Sequence, residues 1–424
     1  MSNAFSAIAL LVNKVITFAL LFFLAKLLGV SKYGAFSYYY VIITGVASVV
    51  GEGVAIALSR YNMLQGVKVG QRLLLSVAFI AAVVAGVFGF GAVLLFPYQG
   101  DEGISLLSIP WWGFMFAFST VLNIAITGLM FSVGSTRLWP VVQIAQGILG
   151  FALGGAVAMS QVAVTTILAV LSFVPLLVPT YGAWTILRAS KAEAGTPVTL
   201  LALKKYMRES GVLALCGAML LGSPVHVICL IIFGRFTLVS EEVGYFNLYF
   251  LFYVLITVVP ASLSPYLVVR LMRSGLGQSS SYLMMGALSA VVLPVALYFA
   301  RDIWLCWFGV HICAREDLLP LALGAGGLGL LITQLVQVLH SEHQSRHVLV
   351  AALLYAIVYL AVVAMYAIRG DMTANEQFIA FASALIVQVF VLGWCRFFMR
   401  AARRSKGDLI DAGVDAEIKA GDKQ

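Results

Sequence analysis

The sequence predicts an all-α, polytopic membrane protein with about 12 transmembrane helices in two six-helix bundles. Three observations carry that prediction. First, 62% of the 424 residues are hydrophobic and only 10% charged, with a mean hydropathy of +1.01, which is too little polar side chain to coat a water-soluble globule. Second, about a dozen apolar stretches, each near the ~20 residues that cross a hydrocarbon layer, are separated by short charged or turn-rich breaks. Third, Tyr33-Gly34-Ala35-Phe36-Ser37-Tyr38-Tyr39 returns as Val243-Gly244-Tyr245-Phe246-Asn247-Leu248-Tyr249. Gly34, Phe36, Tyr39 and Arg60 align with Gly244, Phe246, Tyr249 and Arg270 without a gap, at a constant offset of 270 − 60 = 210. Similarity at about half the chain length implies a duplicated unit, and paired helical bundles are how many secondary transporters are built.

Taken in order, the first half offers spans at 4–29, 35–58, 73–97, 109–133, 139–160 and 163–187. The first begins almost at Met1, lacks a basic leader and has no small-residue cleavage site before Asn13-Lys14, so it reads as a retained helix. Spans at 211–234, 244–268, 281–300, 318–340, 348–368 and 378–398 make up the second half. Pro175 and Pro179, Gly222-Ser223-Pro224, and Pro260 and Pro265 mark helices that bend, for packing or for gating. These stretches divide the chain into an N-terminal bundle at 1–190, a cytoplasmic linker at 191–209, a C-terminal bundle at 210–400 and a charged tail at 401–424. Within the tail, Leu409 to Ile418 has the composition of a short amphipathic turn.

Charge sets the orientation. With the N-terminus in the cytoplasm, one side of the membrane collects Arg60, Lys68, Arg72, Arg137, the basic linker, Arg270, Arg273, Arg346 and the basic tail. The other keeps Lys26, Lys32, Arg235, Arg301, Arg315 and Arg369. That positive-inside bias places both termini in the cytoplasm. It absorbs most of the net charge of +8, so no nucleic-acid partner is called for and membrane lipids are the expected surroundings.

Charges inside spans are the sharpest functional pointers, because each costs ~2.5–3.5 kcal/mol at mid-helix on insertion scales. Lys14 lies well inside the first span, and Glu52 is the clear intramembrane acid, in the second. One reading makes them a charge-neutralising ion pair. The other has Lys14, Lys26, Arg235 and the mouth residues Arg60 and Arg270 lining a cationic cavity between the bundles, suited to an anionic head group. Lys26 and Arg235 could equally snorkel to the headgroups. Tyr39, Tyr40 and Tyr249 are candidate sugar-facing aromatics, and interfacial anchoring is the competing role. His226 follows the break near Pro224 as a titratable or a satisfied interior histidine.

Other patterns carry no chemistry. Gly324-Ala325-Gly326-Gly327-Leu328-Gly329 follows no soluble strand and reads as a close-packing helix face. His340, His343 and His347 sit in a short polar loop, and neither a metal nor another cofactor is expected. Cys216, Cys229, Cys306, Cys313 and Cys395 show no CxxC spacing and imply no disulfide framework.

The run Ala25-Lys26-Leu27-Leu28-Gly29-Val30-Ser31-Lys32-Tyr33-Gly34-Ala35-Phe36, continuing to Gly51-Glu52-Gly53-Val54-Ala55-Ile56-Ala57-Leu58-Ser59-Arg60-Tyr61, resembles the N-terminal signature of the Wzx-type polysaccharide and O-antigen flippases. These belong to the multidrug/oligosaccharidyl-lipid/polysaccharide exporter superfamily. The resemblance implies a multi-pass protein of the bacterial inner membrane that moves an undecaprenyl-diphosphate-linked oligosaccharide between leaflets by alternating access. It would work beside a polysaccharide polymerase and a chain-length regulator in building lipopolysaccharide or a related surface polysaccharide. Family members often carry Arg where Lys26 stands, and lysine keeps the charge but loses the bidentate fork. Two alternatives share the architecture or pathway. A cation-coupled drug or metabolite antiporter would want an acid in the first span, where this chain has Lys14, and a membrane-embedded polymerase or ligase would want a long polar outer loop, where Ile303 to Cys313 is apolar. The chain is therefore expected to be a transporter and not an enzyme.

Overall fold

A computed structural model describes residues 2–65, 71–98, 108–133, 138–160, 164–190, 212–237, 239–263, 267, 271, 276–308, 315–342, 344–370 and 372–421. The linker at 191–209, which includes Lys191 and Arg208, lies outside them, as do Arg270 and the side chain of Arg60. Among the described residues the chain is all α, with no strand.

The first helix, α1 (Ser2–Gln65), is too long to be one crossing: its apolar part, Ile8–Ala55, has 48 residues, or ~72 Å at 1.5 Å per residue against a hydrocarbon layer of ~30 Å. It divides at Gly29, whose φ of 72° and ψ of 168° break the helical path. Glycine suits that site because a side chain would strain the backbone there. The two arms are the first two expected spans, and the expected loop between them contracts to this single residue. Next come α2 (Gln71–Leu95), α3 (Ser108–Val133) and α4 (Trp139–Met159), followed by α5 (Val164–Phe173) and α6 (Leu177–Ser190). The last two form one crossing interrupted by a 3₁₀ turn at Val174–Leu176, where Pro175 removes a backbone donor.

The second half runs α7 (Val212–Phe236), α8 (Ser240–Ser262), α9 (Leu276–Phe299), the short α10 (Arg301–Phe308), α11 (Leu318–Ser341), α12 (Ser345–Arg369) and α13 (Ala374–Gly421). Pro224, Pro260 and Pro294 sit inside α7, α8 and α9. The first part of the apolar segment, up to Phe308, is the helix α10, and residues 309–314 lie outside the described ones. Beyond the last crossing, α13 continues as helix to Gly421. Among the described residues nine helices are long and apolar enough to cross a membrane.

Helices α2 to α6 pack around the arms of α1, while α7, α8, α9, α11, α12 and α13 pack on one another, and α1 meets α7 and α8 across the join. Small residues set the spacing. Gly89 lies so near Gly113 that a Cβ would come 2.9 Å from its carbonyl oxygen. In α11, Gly326 packs on Ile256 and Gly329 on Tyr253 and Thr257, which makes the glycine run a helix-packing face.

Candidate functional site

The two copies of the repeat meet each other. A Cβ on Gly34 would sit 3.4 Å from the Cα of Gly244, and Asn247 Nδ2 donates a 3.0 Å hydrogen bond to Ser37 Oγ. Both pairs are 210 residues apart (244 − 34 and 247 − 37). The offset of the sequence repeat thus recurs as contact in space, at the seam where α1 and α8 meet. Phe22 on Phe252, with ring centroids 5.1 Å apart, and Tyr38 beside Gly234 extend it.

The three candidate tyrosines pack around the seam. Tyr39 is buried and its hydroxyl accepts a 3.1 Å hydrogen bond from the Tyr98 backbone N–H. Tyr249 is fully buried, with Phe252 at 5.8 Å. Tyr40 is half-buried between Phe36 at 5.7 Å and Phe116 at 5.5 Å. In this conformation all three rings face protein.

Away from the seam the arms of α1 carry charge. Glu52 lies 52 − 37 = 15 residues beyond Ser37, ~22 Å along the helix. Its neighbours Gly51 and Gly53 are buried, Gly51 against Ile124 of α3, so Glu52, ~100° further round, points off that face. Glu52 is exposed and Lys14 half-buried, and the two act on each other electrostatically. Among the described residues no ion pair within 4.0 Å joins them.

Behind Lys14, a buried chain of neutral polar groups anchors the first arm of α1. Asn13 Nδ2 donates to Gln143 Oε1 at 3.1 Å, and Gln143 Nε2 donates to Thr127 Oγ1 at 3.3 Å. Thr127 Oγ1 donates to Asn123 Oδ1, and Asn123 Nδ2 to Gln146 Oε1, both at 3.4 Å. Gly147 makes room, since a Cβ there would lie 2.7 Å from Asn13 Oδ1. The chain ties α1 to α3 and α4 one residue from Lys14 and so fixes where that ammonium group starts. The sequence reading missed it. Its signal was polar pairs spaced by four (Asn123, Thr127) and by three (Gln143, Gln146) in otherwise apolar spans, groups that must find partners in a membrane interior.

The structure does not bring Lys26 or Arg235 to Lys14. Lys26 and Arg235 are exposed and lie at the seam end, where the charge of Arg235 reaches Tyr38. The same end of the C-terminal half holds a clamp: Arg315 pairs with Glu242 and, at 3.2 Å, with Asp317. Asn375 Nδ2 donates to Asp317 Oδ2, and the Ala374 N–H to Glu242 Oε2, both at 2.8 Å. The starts of α8, α11 and α13 are thereby tied together. Burial raises the Asp317 carboxyl, but hydrogen bonds from Arg315 and Asn375 outweigh it and hold the group below the usual carboxylate range.

No family model and no curated relative matches the chain. Solved structures do. An inward-facing multidrug resistance MATE family transporter of the MOP superfamily overlaps with a TM-score of 0.66 at 12% identity, covering 94% of this chain and 99% of its own. A MOP superfamily transporter from Pyrococcus furiosus overlaps with a TM-score of 0.59 at 12% identity, covering 95% of this chain and 96% of its own. The lipid II flippase MurJ, in an inward closed conformation, overlaps with a TM-score of 0.63 at 12% identity, covering 91% of this chain and 87% of its own. Identities this low carry no activity across, but overlap along nearly the whole of each chain assigns the architecture: this protein has the fold of the MOP superfamily transporters.

Proposed function

We propose that this chain moves an undecaprenyl-diphosphate-linked oligosaccharide, an O-antigen or related surface-polysaccharide unit, across the bacterial inner membrane by alternating access. The observation that carries the reading is Lys14, a half-buried cation inside the first span with no carboxylate at ion-pair distance among the described residues. A diphosphate accepts charge-assisted hydrogen bonds from such an ammonium group. The polyprenyl tail can stay in the bilayer, so only the head needs a polar route. With both termini in the cytoplasm, as the positive-inside bias argues, the seam at Gly34 and Gly244 closes the periplasmic end and Lys14 serves the cytoplasmic leaflet. Likeness in fold to a lipid II flippase supports a lipid-linked cargo. A polysaccharide polymerase and a chain-length regulator would take the unit onward.

One observation favours a second reading. Glu52 is exposed and would suit a cation-coupled drug or metabolite antiporter, and two of the solved structures are named as multidrug resistance transporters. Depleting the protein in cells that make surface polysaccharide separates the two. Lipid-linked units accumulating on the cytoplasmic leaflet, with synthesis continuing, supports the flippase. Unchanged glycan with altered drug sensitivity points to the antiporter, and single units accumulating on the periplasmic side point to a polymerase.

A further inference from the structure

A second polar cluster lies in the other half of the molecule, apart from Lys14. His226 of α7, Tyr359 of α12 and Gln377 of α13 are buried together. Gln377 Nε2 donates to the Tyr359 hydroxyl oxygen at 2.9 Å, which leaves the Tyr359 proton for His226 Nδ1 at 3.2 Å. The chain ends in two buried atoms with no partner among the described residues: His226 Nε2 and Gln377 Oε1. Around the imidazole stand Phe250, stacked with centroids 4.5 Å apart at 17°, Phe381 at 5.4 Å and Phe246 at 6.1 Å. The titratable groups beside the cluster are Cys229 of α7, Tyr253 of α8 and Tyr355 of α12, while α13 presents Gln377 and Phe381. No charged side chain among the described residues acts on the ring.

We propose that His226, Tyr359 and Gln377 form a proton-binding site, in which a proton taken up at His226 Nδ1 reverses the direction of the hydrogen-bond chain. The proton adds to the Nδ1 lone pair, and the new N–H donates to the Tyr359 oxygen. The Tyr359 O–H, displaced from Nδ1, turns to Gln377, whose amide rotates so that Oε1 accepts. One N–H bond forms, none breaks, no electron moves, and the cluster gains one positive charge. Gln377 Oε1, idle in the present arrangement, becomes an acceptor in the second. The aromatic faces around the ring attract a cation, and a hydrogen bond from a charged donor is stronger than the neutral one it replaces.

This site couples to the shape of α7. Pro224, two residues before His226, interrupts the helix's hydrogen-bond ladder and lets it bend there, and the same helix reaches the seam at Gly234. Proton uptake is therefore linked to the seam, whatever molecule the protein carries.

The test is nitrogen-15 NMR of histidine-labelled, full-length protein in lipid nanodiscs, with His226→Asn identifying the ring's signals. The expected result is a single-proton transition of His226 Nδ1 as the pH falls from about 8 to about 4. Tyr359→Phe, which removes the acceptor of the new N–H, lowers proton affinity about tenfold or more, the loss expected for a charged hydrogen bond. If that variant does not fold, Gln377→Met replaces it with the same expected direction. A ring that stays neutral across this range in folded protein, or titrates identically without the partner hydroxyl or amide, overturns the proposal. Neither measurement uses a carried molecule, so failure here is distinct from failure of the flippase reading.

Discussion

Substituting Gly244 by alanine tests whether the seam is a gate. A Cβ at Gly244 would stand 2.5 Å from the Val30 carbonyl oxygen and 2.9 Å from Val30 Cγ1, and the first of these is backbone that cannot rotate away. Overpacking of this kind costs about 1–3 kcal/mol. If the seam parts during transport, the closed conformer bears that cost and the open one does not, so the open-to-closed ratio rises by roughly 5- to 150-fold. Gly34→Ala is the internal control, because its Cβ would meet Gly244 and Tyr98 at 3.4 Å, an ordinary contact. The assay is the rate at which a membrane-impermeant maleimide modifies Asn247→Cys from the seam side, in vesicles, with and without the second substitution. While the open conformer stays a minority, the rate follows its population. An unchanged rate for Gly244→Ala in normally folded protein would show that the seam does not open, and an equal rise for Gly34→Ala would show that the packing argument has the wrong cause.

Three further outcomes are expected. Lys14→Ala lowers export of lipid-linked glycan; if Lys14 instead only balances Glu52, adding Glu52→Gln restores export, and full export by the single variant at normal expression removes Lys14 from the mechanism. Gln143→Leu strands Asn13 Nδ2 without its buried partner, at about 1–3 kcal/mol, and should lower the thermal unfolding midpoint in detergent; an unchanged midpoint counts against the network as an anchor. For Asp317, whose folded value is depressed, the sign is fixed: its contribution is complete above the unfolded carboxylate value and is lost as pH falls through the lower folded one. Acid unfolding of wild type should therefore show a step in that window which Asp317→Asn lacks.

The sequence by itself determined the class, an all-α polytopic membrane protein. Apolar runs of membrane length have few alternatives in lipid, where every backbone group must be satisfied within a helix, and the 210-residue offset between Gly34 and Gly244 is readable in the letters, although of the two only Gly244 lacks room for a Cβ. Gly29 was legible as a boundary but not as a one-residue break, since only the backbone angles distinguish a turn from a loop. What the tertiary structure decided was partnership. Ser37 and Asn247 are ordinary polar residues until the packing of α1 on α8 brings them together. Lys14 and Glu52 act on each other without an ion pair, and Lys26 and Arg235 stand at the seam end. His226 found Tyr359 and Gln377, 133 and 151 residues away (359 − 226 and 377 − 226). Hydropathy and spacing record what one helix must do in lipid, whereas the pairing of polar side chains depends on which faces of which helices meet, and that is settled by packing across the whole bundle.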